Sequence, residues 1–136
     1  MSKASAYLRN RHTEVEFVAT NLDSSYPDGK VFLCGGGSCV KMVAFAAGRE
    51  PDVVCGKPSK HMLDIALETY NLKRETTIMV GDRLNTDMNF GIAGGLYATL
   101  HVLTGINSLE DAIAASDEEK PSHYIPSFGD LHSIIK

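Results

Sequence analysis

The chain has 136 residues, 43% of them hydrophobic and 22% charged, with 13 Lys+Arg against 17 Asp+Glu and a formal charge of −4. That is enough apolar material for one compact domain. The acidic balance, with no Lys/Arg run longer than two residues, excludes a general nucleic-acid binder or a polybasic membrane patch. The longest mostly apolar stretch, Ile92 to Leu103, is interrupted by Gly94, Gly95 and His101 and is too short to span a membrane. No secretory leader pattern opens the sequence. Cys34, Cys39 and Cys55 show no metal-type or redox-type spacing, so they are expected to be reduced packing residues of a cytoplasmic protein. The five histidines are scattered without an i, i+4 pair, which argues against zinc.

In chain order, the pattern predicts a helix over Ser2–Asn10, a β-rich segment over Val15–Thr20, and a turn-rich loop over Asn21–Lys30 carrying Pro27 and Asp28-Gly29. Gly35-Gly36-Gly37 lacks the lysine of a phosphate-binding P-loop and reads as a flexible turn. A helix follows over Ser38–Ala47, with Val40, Val43, Ala44 and Ala47 on one face and Gly48 just past its end. Asp52–Cys55 reads as a short buried strand. Ser59 then occupies an N-cap position ahead of Met62, Leu63, Ala66, Leu67 and Tyr70 at helical spacing. Thr76–Val80 is β-branched and continuous, the mark of a strand buried on both faces. A helix around Asn85–Ala93, a strand over Tyr97–Leu103, a helix over Ser108–Ala115, a solvated acidic linker over Asp117–Pro121, a short strand over His123–Ile125 and a helix over Phe128–Ile135 complete the reading. Strands alternating with helices imply an α/β three-layer sandwich with a mostly parallel sheet.

Ligands of such sheets bind beyond the carboxyl ends of the strands, which selects two segments. Gly56-Lys57-Pro58-Ser59 places an ammonium beside a helix N-terminus, a pairing that attracts phosphate; a surface lysine in a tight turn is the plainer reading. Gly81-Asp82-Arg83-Leu84-Asn85-Thr86-Asp87 places one carboxylate at a strand end and a second in the following turn. Such a pair suits Mg²⁺, which takes one or two carboxylates and keeps other positions for water and phosphate; capping and helix-dipole roles are the alternative.

The runs GKPSKHMLDIAL and IMVGDRLNTDMNFGIAGGLYATLHVLTGI, with FVATNLDSSYP and AAGREPDVVCGKPSK upstream, resemble the C-terminal half of haloacid-dehalogenase (HAD)-superfamily phosphatases. The similarity is to the branch containing 4-nitrophenylphosphatases, phosphoglycolate phosphatases and pyridoxal phosphate phosphatases. The resemblance implies that residues 1–50 are the last part of an α/β cap domain and 51–136 the last part of a HAD-like catalytic core. It implies Lys57 as the catalytic lysine steadying phosphate, Asp82 and Asp87 as the metal-site acids for Mg²⁺, and Asn21 and Asp23, with Thr20, as the cap's ATNxD segment at the substrate. Leu22 stands where that segment usually has proline.

The family attacks with an aspartate of an N-terminal D-x-D-G motif, forming an aspartyl-phosphate, and binds phosphate through a Ser or Thr of a second motif. Asp-x-Asp occurs nowhere in these 136 residues. The expectation is therefore a Mg²⁺-dependent phosphomonoester hydrolase represented by a truncated chain, inactive in isolation, whose partner is a small phosphorylated metabolite. The alternative is a non-enzymatic remnant serving as a binding or subunit-contact module. A half-core with open sheet edges is expected to associate with itself as a homo-oligomer, through a sheet edge or the cap.

Overall fold

The computed structural model describes residues 1–11 and 13–134 and divides into two compact units, Met1–Gly56 and Lys57–Lys136. Helices and mostly parallel strands alternate along the chain, as the sequence implies, apart from one antiparallel hairpin.

The first unit comprises α1 (Ser2–Asn10), β1 (Val18–Ala19), β2 (Ser25–Asp28), β3 (Val31–Cys34), α2 (Gly36–Ala47) and β4 (Val53–Val54). β1 and β4 pair in parallel, Val18 with Val53 and Ala19 with Val54. Leu8, Phe17, Ala44 and Ala47 form its core, with Val15, Val40 and Val43 packed against them. The helical face expected on α2 is thus the buried one. α2 ends at Gly48 in the left-handed conformation, φ 71°, which glycine adopts without steric cost. Asp52 fastens β4 to the preceding chain: its carboxylate accepts the Phe17 N–H at 2.7 Å and pairs with Arg49. These hydrogen bonds, the Phe17 amide first and Arg49 second, hold the Asp52 carboxyl below its ordinary range.

Two local expectations fail in this unit. The segment Asn21–Lys30 is not all loop, because Ser25–Asp28 is strand β2, hairpinned antiparallel to β3 with Asp28 opposite Val31. Gly29-Lys30 is the turn of that hairpin, with Gly29 at φ 61°, and the exposure of both strands removes the apolar alternation that would have revealed them. Nor is Gly35-Gly36-Gly37 a free turn. Gly35 is the N-cap and Gly36-Gly37 the first turn of α2, because a Cβ at Gly35 or Gly37 would collide with the Asp23 or Leu22 backbone.

The second unit comprises α3 (Lys60–Thr69), β5 (Ile78–Gly81), α4 (Asn89–Ala93), β6 (Ala98–Val102), α5 (Leu109–Ala114), β7 (His123–Ile125) and α6 (Leu131–Ile134), with 3₁₀ turns at Arg74–Thr76 and Phe128–Asp130. β5, β6 and β7 form one parallel sheet in that order. Leu63, Leu67 and Phe90 pack with Met79 and Leu96, while Leu84, Met88 and Ala112 pack with Ile92 and Ala115. Of the predicted α3 face, the i, i+4 pair Leu63 and Leu67 carries the burial; Met62 and the C-cap residue Tyr70 are exposed. β5 begins at Ile78 and is not buried on both faces, since Ile78 is 46% exposed on an edge strand. The helix expected from Asn85 opens instead as a π-helical turn over Leu84–Met88. Ile135, the last residue of the predicted C-terminal helix, lies outside the described residues.

Candidate active site

The strand β5 ends in Gly81, and the chain turns there through Asp82-Arg83 into the π-helical turn that carries Asp87. Asp87 is 3% exposed, and both of its oxygens are engaged. Oδ2 accepts the backbone N–H groups of Asp82 and Arg83, each at 3.1 Å, while Oδ1 pairs with Lys57 Nζ at 2.6 Å. A Cβ at Gly81 would collide with this carboxylate, so the glycine is what admits Asp87 against the strand end. One buried carboxylate therefore holds both the loop of Asp82 and the ammonium of Lys57.

Lys57 opens the second unit, its peptide to Pro58 is cis, and its side chain remains 41% exposed. With one N–H committed to Asp87, its ammonium keeps donors for an anion. Ser59 is the N-cap of α3 without a side-chain capping hydrogen bond, so the first-turn N–H groups of α3 are not capped by that hydroxyl.

Asp82 is gripped from the other side by the loop after β6. Its Oδ2 accepts the Ile106 N–H at 3.0 Å, and its backbone carbonyl accepts the Asn107 N–H at 3.1 Å. A Cβ at Gly105 would collide with the Asp82 carboxylate, so this loop also needs glycine at the point of closest approach. Asn107 Oδ1 accepts the Leu84 N–H at 3.0 Å. Ser108 and Asp111 then form a reciprocal capping box on α5. The Ser108 N–H and hydroxyl, with the Asn107 amide, hold the Asp111 carboxyl below its usual range.

Lys57, Asp82 and Asp87, named from the sequence, are thus brought together. Asn21 and Asp23 belong to the first unit. There the Asn21 side chain accepts the Asp23 N–H at 3.1 Å and lies against Gly36, and a Cβ at Gly56 would collide with Thr20 beside them. Sequence reasoning included Gly81 in the loop without a role and missed Gly105, Ile106 and Asn107. Two of these act through the absence of a side chain and Ile106 through a backbone N–H, which no residue pattern displays. The Ser108-x-x-Asp111 spacing is a capping-box signature and could have marked the loop.

The donor set bears on a cation. Among the described residues no group of three or more His, Cys, Asp or Glu side chains is placed to enclose a metal. Mg²⁺ needs no such cage, because one or two carboxylates with water and phosphate oxygens suffice. Asp82, with Oδ2 held by an amide and Oδ1 left over, fits one such ligand. Asp87 is consumed by its hydrogen bonds and the lysine.

A parallel α/β sheet with this polar cluster at the carboxyl end of β5 belongs to the class of folds that place ligands beyond their strand ends. The chain belongs to the HAD-hydrolase-like family, whose model matches residues 54–131. It is 35% identical to a 4-nitrophenylphosphatase of Schizosaccharomyces pombe over 85% of this chain and 38% of that protein. It is 39% identical to human chronophin over 96% of this chain and 45% of that protein. Among solved structures it is similar to a 4-nitrophenylphosphatase of Thermotoga maritima, with 30% identity, TM-score 0.86, and 99% of this chain on 49% of that one. It is similar as well to a glycerol phosphate phosphatase of Mycobacterium tuberculosis in complex with magnesium, with 32% identity, TM-score 0.83, and 96% of this chain on 37% of that one. The chain thus spans less than half the length of these relatives.

Proposed function

We propose that this chain is the C-terminal part of a Mg²⁺-dependent phosphomonoester hydrolase of the 4-nitrophenylphosphatase type, acting on a small phosphorylated metabolite in the cytoplasm. The observation that carries the reading is the shared carboxylate: Asp87 joins the GKPS lysine to the GDRLNTD loop in one cluster. In this reading residues 1–50 are the end of a cap, with Asn21 and Asp23 facing substrate, and residues 51–136 are the end of the catalytic core. Lys57 neutralises phosphate oxygens and steadies the charge that develops on them during transfer. Asp87 fixes the lysine and the turn, serving the metal site from behind, and Asp82 Oδ1 would hold Mg²⁺. When bound, the ion supplies Lewis-acid charge to a phosphoryl oxygen.

The nucleophile is the missing element, since no Asp-x-Asp is present in the 136 residues. That observation favours a second reading for the isolated polypeptide, a non-catalytic binding or subunit-contact module. Two assays on the purified chain beside Asp82→Asn, prepared identically, test the pair. The expected result is no Mg²⁺-dependent hydrolysis of 4-nitrophenyl phosphate by either, with Mn²⁺ binding by the chain that Asp82→Asn abolishes. Hydrolysis that disappears with Asp82→Asn would mean that another acid here serves as nucleophile. Absence of any Mn²⁺ binding would remove the metal-site reading and leave the contact module.

A further inference from the structure

We propose that His101 is a positioning residue for the Asp82 carboxylate, acting through the backbone of the loop after β6; its bearing on cation binding rests on the reading of Asp82 as a ligand. His101 lies on β6 in register with Gly81, the last residue of β5, and has 0% exposure. Its Nε2 is 3.1 Å from the Asn107 carbonyl. A carbonyl only accepts, so Nε2 carries the proton in that contact. Nδ1 is then an acceptor, and it is buried without a partner among the described residues.

An imidazole with an unmatched nitrogen is a costly occupant of a strand whose neighbours are Leu100 and Val102. An aliphatic side chain would pack there without that penalty. What the imidazole supplies instead is the single hydrogen bond to Asn107, and the consequences of that bond run directly to Asp82. The Asn107 carbonyl belongs to the Asn107–Ser108 peptide, and the two amides just before it in the chain are the Asn107 N–H, which holds the Asp82 carbonyl, and the Ile106 N–H, which holds Asp82 Oδ2. Asn107 is further tied by its side chain to Leu84 N–H and to Asp111. His101 anchors this loop at the Asn107 carbonyl, so that the Ile106 N–H occupies one Asp82 carboxylate oxygen and leaves the other for a ligand. Supporting hydrogen bonds of this kind set ligand orientation and typically alter metal affinity by about 10–100-fold.

The test compares the full chain with His101→Leu, which removes the donor, and His101→Gln, whose side-chain N–H can reach the same carbonyl. Amide hydrogen exchange by NMR reads the loop without any metal, and Mn²⁺ titration followed by water proton relaxation reads the site. Expected in His101→Leu are Ile106 and Asn107 amides exchanging at least about tenfold faster, with the β5–β6 amides unchanged, and Mn²⁺ affinity about tenfold weaker. His101→Gln should restore both. Unchanged Ile106 exchange in His101→Leu, or failure of Gln to restore it, overturns the proposal. If the wild-type chain binds no Mn²⁺ while Ile106 responds as expected, the cation reading falls and the positioning of the carboxylate stands. Should His101→Leu not fold, the ring ¹⁵N shifts of the wild-type chain decide: protonated Nε2 is expected, and an Nε2 without a proton overturns it.

Discussion

Asp82 and Asp87 sit five residues apart in one loop, yet their surroundings assign them opposite tasks. Removing the Asp87 carboxylate would strand the amides of Asp82 and Arg83 and unpair Lys57. Asp87→Ala should therefore lower stability by about 2–4 kcal/mol in a denaturant melt. Asp82→Asn keeps an acceptor for Ile106 and should stay within about 1 kcal/mol of the parent while losing cation binding. Lys57→Met should cost about 1–3 kcal/mol, less than a fully buried pair, because solvent screens the half-exposed ammonium and the two amides still satisfy Asp87. Equal stability losses at Asp82 and Asp87 would contradict this division. Residue identity was legible here, since both acids and the lysine were named from the sequence. Their division of labour was not, because it follows from which oxygen each backbone N–H reaches. Asp52 offers a separate test. Its folded pKa is depressed by the Phe17 amide and then by Arg49, so its contribution is present above the ordinary carboxylate pKa and fades as pH falls through the depressed value. Asp52→Asn should accordingly melt below the parent at neutral pH, with the two melts converging in acid.

Among the elements, α4 shows how close approach overrules propensity. A Cβ at Gly91 would collide with the Thr99 methyl and stand 2.8 Å from Met79 Cβ, on the face where α4 lies over β5 and β6. Alanine would gain up to about 1 kcal/mol of helix propensity. Overpacking against two strands costs about 1–3 kcal/mol. Gly91→Ala should therefore be net destabilising by about 1–2 kcal/mol, and a raised Tm would show that α4 can lift away without loss. The helices α1, α2 and α3 were readable within two residues because each shows an apolar repeat or a clear end signal. The β2–β3 hairpin was missed because it is exposed on both strands, leaving only Asp28-Gly29 as a signal. The π-helical turn was missed because it exists to bring Asp87 beneath Gly81, a tertiary demand with no periodicity.

For the molecule as a whole, exposed apolar surface is the conspicuous feature. Phe45 is 92% exposed on α2, and Phe32 and Val31 are 67% and 56% exposed on β3. Among the described residues, β5 and β7 are open edges of the second sheet, and β1 and β4 pair only with each other. Unpaired edges and apolar patches of this kind favour association. Light scattering coupled to size exclusion should show the purified chain self-associated, and Phe45→Glu with Phe32→Glu should shift it toward monomer if the first unit carries the contact. A parent chain that is monomeric with a cooperative melt would overturn the expectation. Among the described residues no helix is long and apolar enough to cross a membrane.

By itself the sequence determined the alternation of strands and helices, the apolar face of α2, the Leu63–Leu67 pair of α3 and the three polar residues of the cluster. Those are properties of period and residue type, which are local. Only the tertiary structure decided that one carboxylate would serve lysine and turn together, that Gly81 and Gly105 would clear space for Asp87 and Asp82, and that His101 would reach Asn107. Each of these depends on groups 4 to 30 residues apart meeting at contact or hydrogen-bond distance. Sheet register and helix packing set that meeting, and no window of sequence contains it.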